Sequence, residues 1–227
     1  KRATMGLVAG SQGVEYALGR HWQATGLLPP PPPAPSAGAV DRIAAVSGSV
    51  SPVTARQLAW AGGAGFALIP FEAAAACGSA DELAAEEARA IRSACEAADR
   101  GQSPLVHSAA GHDDPAVARF RAALSLSGLA PEDANRRTGE GLGRVLDAVL
   151  RQTGVRRAVI SGGDTSGHGM RQLGLKALVA LAPTIPGAAL CRAYGEPPHD
   201  ELEIALKGGQ MGSDDYFGWI RAGGGPR

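Results

Sequence analysis

Aromatic side chains make up only 4% of this 227-residue sequence. A core of the size that length permits must then be packed from Ala, Val, Leu and Ile. Neither sign of charge is in excess, because 22 Lys plus Arg stand against 22 Asp plus Glu. This removes the electrostatic argument for nucleic acid or an anionic membrane surface as a partner. Apolar runs stay well short of the ~20 residues of a membrane span. The basic start, Lys1 to Thr4, has no apolar h-region behind it, so no signal peptide is expected. Cysteine occurs only at Cys77, Cys95 and Cys191, with no C-x-x-C pair. Such a scattered set reads as reduced, mostly buried thiols in a cytoplasmic protein. Three motifs are missing as well. Without G-x-x-x-x-G-K-[ST] there is no P-loop. Without G-x-G-x-x-G after a strand, a dinucleotide oxidoreductase loses its main support, and without G-x-S-x-G there is no hydrolase elbow.

Glycine is plentiful, at 32 residues, as in α/β proteins with many tight strand–helix turns. The chain opens on a short apolar run, Met5 to Ala9, followed by a helix over Val14 to Trp22. That is a strand–turn–helix unit with no strand before it, the expected end of an earlier domain. Pro29 to Pro33 and Pro35 then form a semi-rigid polyproline spacer, with a Pro-rich docking peptide as the alternative. Residues 1–28 thus read as a remnant, 29–39 as a linker and 40–227 as one compact domain. Within the last, strands are expected at Ile43–Val46, Phe66–Ile69, Pro104–His107 and Ala158–Ile160. Helices are expected at Pro52–Ala61, Asp81–Arg100, Ala116–Leu126 and Arg137–Thr153. Three extended runs, Leu178–Leu181, Ala188–Arg192 and Leu202–Leu206, follow without intervening helices and read as an antiparallel addition. A short helix, Tyr216–Ile220, closes the chain. The fold class is therefore α/β: a three-layer α/β/α sandwich, Rossmann-like, with a mostly parallel sheet and an antiparallel C-terminal addition.

Three strands run into turns of glycine and hydroxyl residues: Ser47-Gly48-Ser49-Val50-Ser51, Gly162-Gly163-Asp164-Thr165 and Gly208-Gly209-Gln210-Met211-Gly212. A helix that starts after such a turn, here expected from Met170, leaves backbone N–H groups and a positive dipole end that suit a phosphate. In open α/β sheets these turns gather at the carboxyl ends of the strands, where ligands bind. Simple capping explains Ser51 and Pro52, and a lone turn of this kind can bind nothing. Lys207 reads either as a phosphate lysine or as a solvated strand end. Asp214 and Asp215 read either as first-turn helix acids or as magnesium ligands. His107, His112, Asp113 and Asp114 lie close in sequence but meet no recognised metal spacing, and capping is the alternative.

The segments Val46 to Thr54, Ile160 to Gly167 and Leu206 to Phe217 together resemble the four-carbon acid sugar kinases (DUF1537). Asp113-Asp114-Pro115 and Ala9 to Leu18 resemble theirs too, the latter matching the end of a sugar-binding N-terminal domain. The resemblance implies two α/β domains, the second binding ATP with Mg2+, and transfer to the terminal hydroxyl of threonate, erythronate or an oxo-tetronate. It implies ATP contacts at Ser49, Ser51, Gly162, Gly163, Asp164, Thr165, Gly208 and Gly209. No catalytic residue carries over, because the first domain and its acidic motif are not in this sequence. The implied partners are ATP, a C4 sugar acid, that N-terminal domain and a second copy in a homodimer. A nucleotide-binding regulatory module without transfer activity is the competing reading.

Overall fold

The computed structural model describes residues 8–30 and 32–226, so the strand expected over Met5–Ala9 lies largely outside the described residues. The chain divides into two compact units, 1–34 and 35–227. The first contains helix α1 (Gln12–Ala24), whose last turn is closed by Thr25 Oγ1 donating to His21 O at 2.8 Å.

The second unit is built on seven strands: β1 (Ala44–Ser47), β2 (Phe66–Pro70), β3 (Ser103–His107), β4 (Arg157–Ser161), β5 (Leu175–Pro183), β6 (Ala189–Gly195) and β7 (Glu203–Lys207). Their order is β2-β3-β1-β4-β7-β6-β5. The first five run parallel, and β6 and β5 add antiparallel. β7, expected in the antiparallel addition, instead pairs parallel with β4 and belongs to the main sheet. No helix separates β6 from β7; an antiparallel step across their shared edge reverses the chain instead.

Strands β1 and β4 are buried along their whole length, which is why they read as unbroken apolar runs. Successive residues face opposite layers. Val46, Ile160 and Ile204 meet α3 (Ala80–Asp99) and α5 (Pro131–Thr153) through Ala90, Ala94, Leu142, Val145 and Leu146. Ala45, Val159 and Ala205 meet α2 (Pro52–Gly62) and α7 (Tyr216–Arg221) through Leu58, Ala61, Tyr216, Phe217 and Ile220. The scarce aromatics concentrate on this second face, with ring centroids of Phe66 and Tyr216 each 6.1 Å from that of Phe217. Alanine along α3 lets that helix approach the sheet closely.

Helices α4 (Pro115–Ser127) and α6 (Gly163–Gln172) complete the second unit. The starts of the helices follow local chemistry. Ser51 caps α2 with Pro52 in its first turn, and Ser79 with Glu82 forms a reciprocal capping box on α3. Two starts lie more than a full turn earlier than expected. α5 begins at Pro131, with Glu132 and Asp133 in its first turn, rather than at Arg137. α6 begins at Gly163, directly after β4, rather than at Met170. A 3-10 turn over Ala73–Cys77 was not foreseen.

Arg157 is fully buried at the start of β4. Its Nε donates to Glu203 Oε2 at 2.6 Å, and its Nη1 donates to Gly38 O at 2.8 Å and to Ile220 O and Arg221 O at 3.1 Å. Ala37 N and Val40 N bond to Gly223 O and Arg221 O, so residues 36–40 are held against the end of the chain.

Candidate functional site

Four parallel strands end in one row. Ser47 pairs in register with His107 on one side and Ser161 on the other, and Ser161 pairs with Lys207. The ladder continues one step past the strands: Ser108 N donates to Ser47 O, Gly48 N to Ser161 O and Gly162 N to Lys207 O, at 2.9–3.0 Å. This brings the three glycine-rich turns side by side at the carboxyl edge of the sheet.

Glycine is required where the turns touch. A Cβ on Gly48 would lie 2.1 Å from Thr165 Oγ1, and one on Gly209 would lie 2.2 Å from Ser49 Oγ. Gly162 sits at φ 124°, a left-handed conformation that disfavours any side chain. Gly163 differs from these. Nothing lies within 4 Å of a Cβ placed there, so this first residue of α6 opens onto free space. The α6 N-terminus carries no side-chain cap, and the first intrahelical bond is Ser166 N to Gly162 O at 2.9 Å. The N–H groups of Gly163, Asp164 and Thr165 therefore have no acceptor inside the helix.

The hydroxyls of the first turn face inward. Ser51 Oγ accepts from Thr54 N at 3.1 Å and donates to Gly209 O. Thr54 Oγ1 also donates to Gly209 O, at 2.8 Å, and Ser49 Oγ accepts from Ser51 N at 3.2 Å. Ser51 and Thr54 thus fix the Gly208–Gly209 turn against α2, with Ser49 bonded to Ser51 behind them, and the one proton of Ser51 is already placed.

Gly48, Asp164 and Thr165 line a cavity of about 280 Å3. Val50, Ala116, Val117 and Phe120 give it an apolar wall, and Ser108, Asn135 and Thr138 add polar groups. Ser49, Ser51, Gly162, Gly163, Gly208 and Gly209 form the adjoining turns rather than the cavity wall. Thr54, Asn135 and Thr138 were not singled out from the sequence. Thr54 stands three residues after a capping serine, a recognisable spacing. Asn135 and Thr138 lie three apart in α5, on the side that Ala134 and Leu142 bury, but the helix expected from Arg137 leaves the first of them outside.

The remaining candidates separate cleanly. Lys207 is neither a solvated strand end nor a lining residue of the cavity: it is 2% exposed, and its Nζ donates to Gly208 O at 3.1 Å and to Thr54 Oγ1 at 3.4 Å. Burial lowers its pKa to about 8. Asp114 caps α4, accepting from Ala116 N at 2.8 Å and Ala110 N at 2.7 Å, and these bonds hold its carboxyl below the usual range. Burial lowers the pKa of His107. His112 and Asp113 pair on the surface. Asp214 pairs with Arg56 at 2.9 Å, and Asp215 takes the N-cap position of α7. Among the described residues no group of three or more His, Cys, Asp or Glu could hold a metal ion. Also among these residues, the three cysteines are free thiols and no helix is long and apolar enough to cross a membrane.

Comparison with known proteins places these turns in context. Residues 44–217 match the family model described as a nucleotide-binding C-terminal domain. A 3-oxo-isoapionate kinase of Paraburkholderia graminis is 48% identical over 216 residues, covering 95% of this chain and 46% of that protein. A 3-oxo-tetronate kinase of Cupriavidus necator is 30% identical over 219 residues, again 95% of this chain and 46% of that protein. The crystal structure of Haemophilus influenzae protein HI1011, of the DUF1537 family, superposes with a TM-score of 0.63 at 20% identity, covering 83% of this chain and 41% of that one. The chain spans a little under half the length of these curated relatives.

Proposed function

This chain belongs to the nucleotide-binding C-terminal domain family of the four-carbon acid sugar kinases, and on that premise we propose that it supplies the ATP half of a kinase acting on a C4 sugar acid. The observation that carries the reading is the uncapped start of α6. Gly163, Asp164 and Thr165 offer backbone donors beside Gly48, and Gly163 leaves the approach open. Donors at a helix N-terminus suit the phosphates, and Val50, Val117 and Phe120 offer an apolar wall for the base. Ser49, Ser51, Gly208 and Gly209 act by holding the neighbouring turns in place.

Magnesium fits as an ion carried by the phosphates. The described residues hold no metal cluster of their own, and Asp164 is the one carboxylate on the cavity wall. Bound with the nucleotide, the ion would neutralise phosphate charge while keeping several waters. The residues of this chain would orient the terminal phosphate, and proximity to the acceptor hydroxyl would supply much of the rate.

Relatives named as 3-oxo-tetronate and 3-oxo-isoapionate kinases support an oxo sugar acid as acceptor; transfer to its terminal hydroxyl, with threonate and erythronate as further acceptors, is part of the proposal. The acceptor site and catalytic base are assigned to an N-terminal domain, in keeping with the share of those relatives this chain covers. A cytoplasmic location and a homodimer complete the reading; the dimer is supported by the five successive exposed residues of edge strand β5. The test is calorimetric titration of ATP and ADP with magnesium, alongside turnover assays on C4 sugar acids. Nucleotide binding without turnover by this chain is expected, with turnover when the N-terminal domain is present. Absence of nucleotide binding by the folded chain would overturn the reading.

A further inference from the structure

Lys207 is the one residue of the carboxyl-edge row whose charge nothing around it answers. Its backbone joins the site directly, since Lys207 O accepts from Gly162 N at 2.9 Å, at the cap of α6. Its side chain passes to the α2 face. There Nζ donates to Gly208 O and to Thr54 Oγ1, and Thr54 Oγ1 in turn donates to Gly209 O. The Tyr216 ring lies 5.9 Å away. Among the described residues the ammonium forms no ion pair, and in the same strand-end row the hydroxyls of Ser161 and Ser47 are buried with no hydrogen-bond partner. A buried cation of this kind is costly unless an anion lies close by.

We propose that Lys207 is a positioning residue of the polyphosphate site: its buried ammonium braces the Gly208–Gly209 turn and is charge-matched only when a nucleotide's phosphates occupy the adjoining helix start. The proposal rests on the nucleotide-binding reading above and deepens it. Lys207 touches no phosphate itself; it acts through Thr54, Gly209 and the electrostatic field. Its consequence is a coupling between proton and nucleotide. Burial alone depresses the lysine, to about 8. A nearby polyanion favours the charged form and raises that value. Bound chain then holds more protons than free chain above pH 8, so nucleotide affinity falls as pH rises, by up to about tenfold per pH unit.

The groups facing Lys207 do not titrate across this range. Thr54 comes from α2 and Tyr216 from α7, and Ser161, on β4, is the register neighbour of Lys207. Tyr216 is pushed up to about 12 by burial, and Cys191 beyond it is also raised by burial. The ion pair of Arg56 on α2 with Asp214 is exposed. The nucleotide's own last phosphate ionisation lies below the range.

Two measurements test this on the 227-residue chain. The first is the 13Cε resonance of Lys207, assigned by its loss in Lys207→Met and titrated from pH 7 to 9.5 with and without saturating ADP and magnesium. The second is the calorimetric affinity for the same ADP over the same range. The ionisation is expected to move upward on ADP binding, and the affinity to fall above pH 8. Lys207→Met should bind at least tenfold more weakly at pH 7 and lose the pH dependence. A lysine that served only to pack the turn would show no shift on ADP binding. ADP binding with an unmoved Lys207 ionisation, or with a flat profile, overturns the proposal while leaving the nucleotide reading intact. No ADP binding at any pH by the folded wild type overturns both. The wild-type titration decides the matter even if Lys207→Met fails to fold.

Discussion

Substituting Gly163 by valine separates binding from folding at a single position. In the wild type a Cβ at this position meets nothing within 4 Å, and the backbone is not in the left-handed region. The valine side chain therefore creates no clash and no strain in the empty site. In a helix, glycine and valine differ by only about 0.3–0.5 kcal/mol, in favour of valine. The melting temperature should accordingly hold or rise by a degree or two. The cost falls on the ligand. A β-branched group at the first residue of α6 stands where a phosphate must approach the N–H groups of Gly163, Asp164 and Thr165. Hydrogen bonds from such donors to a charged group contribute about 1.5–3 kcal/mol each. Losing one or two of them weakens binding by about 2–4 kcal/mol, or roughly 30- to 1,000-fold. Calorimetric titration of magnesium–ADP into both proteins, with thermal melts of each, supplies both quantities. Equal affinity in two equally stable proteins would refute the assignment of phosphate to this turn.

Two further substitutions probe the scaffold rather than the ligand. Gly48→Ala places a Cβ 2.1 Å from Thr165 Oγ1 and 3.2 Å from its Cβ, so it should destabilise the domain by about 1–3 kcal/mol. Adding Thr165→Ala removes the closer contact and should recover much of that loss in denaturant melts; no recovery would mean that the clash lies elsewhere. Arg157→Leu strips Glu203 of its buried partner and leaves the carbonyls of Gly38, Ile220 and Arg221 short of a donor. A loss of about 3–5 kcal/mol is expected, together with faster proteolysis around residues 36–40; an unchanged digestion pattern there would show that Arg157 does not anchor the segment.

The acid–base balance of Lys207 gives stability the opposite pH trend from binding. Its folded pKa, about 8, lies below the ordinary value of 10.5. Between these two values the unfolded chain binds more protons than the folded one, so stability rises with pH across that window. The destabilising contribution is complete below pH 8 and relieved toward pH 10.5. Nucleotide affinity is expected to fall over the same interval. One protonation site thus yields two opposite slopes, which a general alkaline loosening of the fold cannot imitate.

Much of the architecture was legible because parallel strands buried on both faces read as apolar runs, and because the helix starts carry their own capping residues. Ser51 with Pro52, and the apolar stripe of α3, located those helices closely. One difference was local and one was not. Pro131, Glu132 and Asp133 are a helix start by composition, yet the glycines at 139, 141 and 143 weaken the helical pattern that follows. Those glycines exist for packing: a Cβ on Gly143 would lie 2.8 Å from the backbone of Gly169 in α6. The orientation of β7 could not be read at all. Strand direction is set by pairing partners far apart in the chain, and nothing within Glu203–Lys207 distinguishes a parallel neighbour from an antiparallel one.

The site was legible as turns and illegible as side chains, for the same reason. Gly48, Gly162 and Gly209 announce close approach, because only glycine fits there. Whether a hydroxyl beside them points outward to a ligand or inward to a cap depends on the neighbouring strand. Ser51 and Thr54 turn inward because Gly209 presents a carbonyl to them, and Gly209 lies about 160 residues further along. The row itself left a trace. Val106-His107, Val46-Ser47, Ile160-Ser161 and Leu206-Lys207 each end an apolar run on a polar residue, and alternation turns all four to the α2 face. A single strand ending this way is unremarkable, since polar residues commonly close strands. Four that end this way in one register place a polar layer, with an unanswered cation in it, directly beneath the turns that would hold the phosphates.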